Sequence, residues 1–135
     1  MRKLFRLSLL AAMACSAISA QAEVVVVVNP NAAETSLTKE QVAQYFLGKA
    51  EAFAPIDQPE SATIRSEFYQ KVANKDLAQT RALWAKLVFT GKAMPPKEVA
   101  SNADVKKAVL ANPKAIGYID KSAVDATVKV ICTLP

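Results

Sequence analysis

Phe53-Ala54-Pro55-Ile56-Asp57-Gln58-Pro59-Glu60-Ser61-Ala62-Thr63-Ile64-Arg65-Ser66-Glu67-Phe68 runs a short apolar strand into a polar turn and then directly into a helix. The expected first turn of that helix carries Ser61, Thr63 and Arg65. A helix start leaves backbone N–H groups unpaired and gathers the peptide dipoles into a partial positive charge, so it can hold an anion. Hydroxyls and a guanidinium beside it add charge-assisted hydrogen bonds. The competing expectation is self-capping, in which Ser or Thr simply satisfies its own helix backbone. Pro55 places the strand, read as Phe53 to Asp57, at a sheet edge or makes it the strand's first residue.

Outward from this junction, strands and helices alternate. Ile64, Phe68 and Val72 recur at steps of four with Tyr69 beside them, which makes that helix face core. Asn74-Lys75 breaks the helix, and Asp76 with Gln79 forms a capping box ahead of Leu83, Trp84, Leu87 and Val88. The single Trp therefore reads as a core anchor. Gly91 closes this helix, and Lys92 to Val99 reads as an extended surface loop because Pro95-Pro96 forbids helix and central strand alike. Ser101 and Asp104 open another helix with Val105, Val109 and Leu110 inward. Ala115 to Ile119 is a short strand whose Gly117 signals a close backbone approach or a bulge. A helical turn over Ser122 to Asp125 and a strand over Val128 to Cys132 follow.

In the other direction, Val24 to Val28 is an unbroken β-branched run, the pattern of a strand buried on both faces. Asn29-Pro30-Asn31 ends it. Thr38 with Gln41 makes a second capping box, Leu37 is placed to staple onto Val42, Val42, Tyr45 and Phe46 form an apolar face, and Gly48 stops the helix. The alternation predicts an α/β domain with a mixed, mostly parallel sheet flanked by helices. In such sheets ligands sit at strand carboxyl ends against helix starts, which is where the Asp57–Arg65 turn lies.

Residues 1–22 combine a basic start, a short apolar run and Ala20-Gln21-Ala22, the features of a secretory signal peptide cut before Glu23. The apolar run is too short for a membrane span, which needs roughly 20 residues. A rival cut would leave Cys15 as a lipidated N-terminus, although Ala12-Met13-Ala14 is a poor lead-in. Loss of Arg2, Lys3 and Arg6 from 17 cations leaves 14 against 12 acids, a net charge of +2. That is too small to argue for nucleic acid or a membrane surface. Residues 23–135 are expected to form one domain. Cys132 is then the sole cysteine and reads as a buried structural thiol. The chain has no His, no metal-ligand cluster and no activated nucleophile, so an enzyme is the poorest reading and no cofactor is implied.

Phe46-Leu47-Gly48-Lys49, the Pro55-Ile56 strand, the polar turn into Phe68, Phe89-Thr90-Gly91-Lys92 and Ala115-Ile116-Gly117-Tyr118-Ile119-Asp120 occur in an order that resembles a known family. They look like the second domain of the periplasmic phosphate-binding proteins that feed ABC importers, closest to short stand-alone members. The resemblance covers roughly residues 24–131 and implies a single periplasmic-binding-protein-like lobe. In two-lobed relatives phosphate sits in the cleft between lobes, held in this lobe by an Arg-Ser-Asp-Gly-Ser-Gly-Thr turn. Here Gln58 stands at the arginine position, Glu60 at its acidic neighbour, and Ala62, Thr63 and Ile64 at Ser-Gly-Thr. No glycine remains to let the backbone approach a phosphate closely.

Two functions follow from the resemblance. One is a periplasmic module that binds phosphate or a related oxyanion in ABC-type phosphate uptake, alone, as a homodimer or with a periplasmic or membrane partner. Ser61, Thr63 and the backbone would donate, Arg65 would supply charge and Gln58 orientation, with Asp57 and Glu60 opposing a fully ionised anion. The other is a ligand-free interaction module presenting the Met94-Pro95-Pro96 loop or the Asp57–Arg65 turn to a membrane or periplasmic partner. Tyr118 and Asp120 lie near a strand end and are candidates to face a ligand, or equally core and turn residues.

Overall fold

The valine run dictates the centre of the molecule, a computed structural model of which describes residues 23–135; the signal-peptide reading of residues 1–22 and the question of Cys15 fall outside the described residues. Strand β1 (Val24–Val28) is buried along its whole length, and its side chains alternate between two cores. Val24, Val26 and Val28 join Phe46, Phe68, Tyr69, Ile116 and Tyr118, whereas Val25 and Val27 join Ile56, Val105, Val109 and Ile119. Period-two geometry turns a uniform run of β-branched residues into two hydrophobic faces.

Around β1 the elements follow as α1 (Lys39–Phe46), β2 (Ala54–Asp57), α2 (Thr63–Ala73), α3 (Leu77–Phe89), β3 (Lys97–Glu98), α4 (Asn102–Ala111), β4 (Ala115–Asp120), a 3-10 turn (Lys121–Ala123) and β5 (Lys129–Leu134). The sheet order is β3-β2-β4-β1-β5. The mixed sheet flanked by helices is as expected, and its parallel pairings are β2 with β3 and β2 with β4. Strand β1 runs antiparallel to both β4 and β5, with a register shift between Val26 and Val27.

Both predicted capping boxes form, at Thr38–Gln41 and Asp76–Gln79, and Ser101 caps α4 through the Asp104 N–H. Gly48 takes φ 76° one residue past the α1 cap, and the Lys49 N–H reaches the Gln44 carbonyl at 2.8 Å. A left-handed residue there lets the chain reverse and satisfy helix-end carbonyls. Trp84 is buried and its indole N–H donates to the Phe46 carbonyl at 3.1 Å, joining α3 to α1. Gly117 marks a close approach, because a Cβ there would meet Val105 Cγ1 of α4 at 2.5 Å.

Several expectations need correction. The Lys92–Val99 loop contains β3, whose two residues pair with Ile56 and Asp57, so β2 is not an edge strand. Pro55 is tolerated because it pairs only with Ile116 of β4, beyond the end of β3. Val88 and Leu110 are half exposed, since no element covers those flanks of α3 and α4. Cys132 is partly rather than fully buried, and burial pushes its thiol pKa up, which keeps it protonated. The late helical turn begins at Lys121, and the final strand runs on to Leu134. No helix among the described residues is long and apolar enough to cross a membrane.

Candidate functional site at the start of helix α2

Asp57, the last residue of β2, is nearly fully buried and organises the junction. Its Oδ2 accepts a hydrogen bond from the Tyr69 hydroxyl of α2 at 2.6 Å, and its Oδ1 accepts from the Tyr118 hydroxyl of β4 and from the Gln58 N–H at 2.8 Å. Three donors satisfy a carboxylate that would otherwise be costly to bury. Burial first, and the Asp57 charge second, push both phenols far above the usual tyrosine range.

Gln58 is also buried, and both hydrogens of its side-chain amide are spent inside the fold. Nε2 donates to the Tyr118 carbonyl and to Asn102 Oδ1, each at 3.0 Å. Gln58 thus ties β2 to β4 and to the first turn of α4 rather than projecting toward solvent. Arg65 lies mostly buried along the same turn, its side chain 13% exposed. Nη1 donates to the Gln58 carbonyl at 2.9 Å and lies 3.5 Å from Glu98 Oε2. Nε sits 3.9 Å from Asp57 Oδ1 and has no hydrogen-bond partner.

The helix start differs from the self-capping expectation. Ala62 occupies the N-cap of α2 and offers no side-chain oxygen, while Ser61 falls in the preceding turn, closed by the Ala62 N–H to Pro59 carbonyl bond at 2.9 Å. Thr63 is the first helical residue, and both hydroxyl-bearing residues are exposed. The Arg65 N–H folds back onto the Ala62 carbonyl at 3.1 Å, whereas no described group accepts from the Thr63 or Ile64 N–H. Ser61, Thr63 and two backbone donors therefore stand together at an uncapped helix end.

Glu60 and Asp57, which weighed against an anion here, are both engaged. Arg81 of α3 grips Glu60 through two bonds, Nε to Oε1 at 3.1 Å and Nη2 to Oε2 at 2.8 Å, and this pairing holds the Glu60 pKa below its ordinary value. Beside these groups a cavity of about 350 Å³ opens between Arg65, Glu98, Trp84, Val88 and Pro95-Pro96. A larger one, about 650 Å³, lies beside Cys132 on the edge strand β5 and the start of α1, whose helix end Thr38 already caps.

Tyr118 is wholly internal and belongs to the Asp57 network, and Asp120 accepts from Ser122 to cap the 3-10 turn. Sequence reasoning missed the Asp57–Tyr69–Tyr118 triad, the Asn102 bond and the Glu60–Arg81 pair. The members of the triad fall in three separate elements, so no local spacing announces them.

The fold is shared with solved structures of larger proteins, of which this chain covers less than half. An ABC-type phosphate transport receptor from Vibrio cholerae superposes with a TM-score of 0.63 at 24% identity, over 82% of this chain and 46% of that one. A protein from Clostridium perfringens assigned to phosphate ABC transport and solved with bound phosphate gives 0.65 at 19%, over 82% and 45%. PstS from Borrelia burgdorferi gives 0.62 at 17%, over 82% and 47%. The chain thus spans less than half the length of each. No protein-family model and no curated protein sequence matches it.

Proposed function

We propose that residues 23–135 form an exported, periplasmic solute-binding module, associated with ABC-type phosphate uptake, that takes phosphate or a related oxyanion at the start of α2. The observation that carries this reading is the uncapped N-terminus of α2, where the Thr63 and Ile64 N–H groups and the exposed Ser61 and Thr63 residues have no described acceptor or cap. An anion at a helix end is stabilised by the dipole and by those donors. Arg65 contributes charge from the flank and does not clamp the ligand, because its Nη1 is held by Gln58 and Glu98. Gln58 orients the turn from within and not the ligand. The module performs no chemistry and needs no cofactor.

The spent amide of Gln58 and the paired guanidiniums of Arg65 and Arg81 favour a second reading, a lobe kept for protein contact without a ligand. Thermal unfolding with phosphate, sulfate and chloride at matched ionic strength separates the two. A ligand at ~100 times its dissociation constant adds about 2.7 kcal/mol, several degrees for a domain of this size. The expected result is a rise specific to phosphate that shrinks in Ser61→Ala and Thr63→Ala. No rise, or an equal rise in every salt, overturns oxyanion binding.

A further inference from the structure

From Leu77 to Lys97 the chain carries four cations, Arg81, Lys86, Lys92 and Lys97, and no carboxylate. Arg81 is held by Glu60, but no described carboxylate pairs with any of the three lysines, all of which are exposed. Within the same stretch lie three of the five large apolar side chains that the described surface exposes: Val88 at 48%, Phe89 at 92% and Met94 at 83%. Nothing in the fold needs a phenyl ring almost wholly in water, and large apolar side chains gathered at one place on a surface mark a contact site.

The local backbone explains how they are presented. Helix α3 ends in a Schellman reversal, with the Gly91 N–H on the Val88 carbonyl at 3.1 Å and the Lys92 N–H on the Leu87 carbonyl at 3.0 Å. Gly91 takes φ 69° with no atom within 4 Å of where a Cβ would stand, so the tip is open on its outer side. The returning segment carries Pro95-Pro96, which fix its backbone φ angles, and Met94 lies with Trp84 on the lining of a small cavity. The result is an exposed end of the chain on which apolar side chains and unpaired lysines lie within one short stretch.

We propose that the end of α3 and the Gly91–Lys97 reversal dock on an anionic lipid surface, with Phe89 and Met94 entering the interface and Lys86, Lys92 and Lys97 facing the headgroups. Apolar side chains gain from leaving water at the acyl boundary, and lysines add attraction to anionic lipid that fades with salt. Their long stems let them reach headgroups around the anchors. The contact is independent of the oxyanion site, since none of Ser61, Thr63 or Arg65 belongs to it.

The test is flotation of the full chain with vesicles of phosphatidylcholine mixed with phosphatidylglycerol, set against pure phosphatidylcholine vesicles. Wild type and variants share the same N-terminus, so any lipid affinity of residues 1–22 cancels between them. Phe89→Ser with Met94→Ser is expected to weaken binding about tenfold or more, and Lys86→Glu with Lys92→Glu roughly fivefold per lysine and only on anionic vesicles. All four side chains are exposed, so the fold survives these changes. Binding that is absent in wild type, or equal in wild type and variants, overturns the proposal. So does a lipid-free dimer that Phe89→Ser converts to monomer, which would assign the tip to a second copy of the chain.

Discussion

A single buried carboxylate sets the chemistry at the carboxyl end of β2. Asp57 holds Tyr69 and Tyr118 in their protonated form, and their hydroxyls in turn keep its charge satisfied. Because both phenols have folded-state pKa values above the unfolded value of about 10, their contribution to stability is complete below that pH and is lost as pH rises above it. The loss amounts to about 1.4 kcal/mol per pH unit for each tyrosine. Urea unfolding as a function of alkaline pH is expected to show this fall, and Tyr69→Phe to halve its slope. The same variant costs about 2 kcal/mol near neutrality, because the lost hydrogen bond served a buried carboxylate. An unchanged alkaline slope in Tyr69→Phe would show that the phenols ionise freely and that the network does not hold them.

Of the four α-helices among the described residues, α2 alone starts without a side-chain cap: α1, α3 and α4 use Thr38, Asp76 and Ser101, whereas α2 begins on Ala62. Ala62→Asp supplies both a cap and a negative charge at that position. It is expected to raise stability by about 1 kcal/mol in thermal unfolding and to abolish any phosphate-specific shift, since its carboxylate takes the donors an oxyanion would use. A variant that gains stability and still responds to phosphate would move the anion elsewhere on the molecule. This element-level contrast was only half legible beforehand. The other caps follow from residue spacing, but the turn Pro59–Ala62 takes in Ser61 and moves the helix start two residues on, to Thr63, which spacing does not reveal.

At the scale of the whole molecule, one sheet carries two cores and β1 belongs to both. Loss of packing on either face uncovers valines of the one strand that both cores share, so unfolding is expected to be a single transition. Trp84 fluorescence, which reports α3 and α1, and far-UV circular dichroism should give coincident curves. Separate midpoints would mean that α3, which meets the body chiefly through Trp84 and α2, detaches first. The chain also matches less than half of each larger structure that shares its fold.

The sequence by itself determined the α/β class, the doubly buried valine strand, two capping boxes and the Gly48 and Gly91 stops. These depend on neighbours within a few residues, where spacing and backbone conformation are fixed by local sterics and hydrogen bonding. Only the tertiary structure decided the antiparallel direction of β1 and the exposure of Val88 and Leu110. It also decided the fate of Gln58 and Arg65, which local pattern placed toward a ligand and the fold turned to bracing β2 against β4, α4 and β3. Their partners Tyr118, Asn102 and Glu98 lie 33 to 60 residues away. Which distant donor meets which acceptor depends on how the sheet assembles, and no periodicity in the chain encodes it.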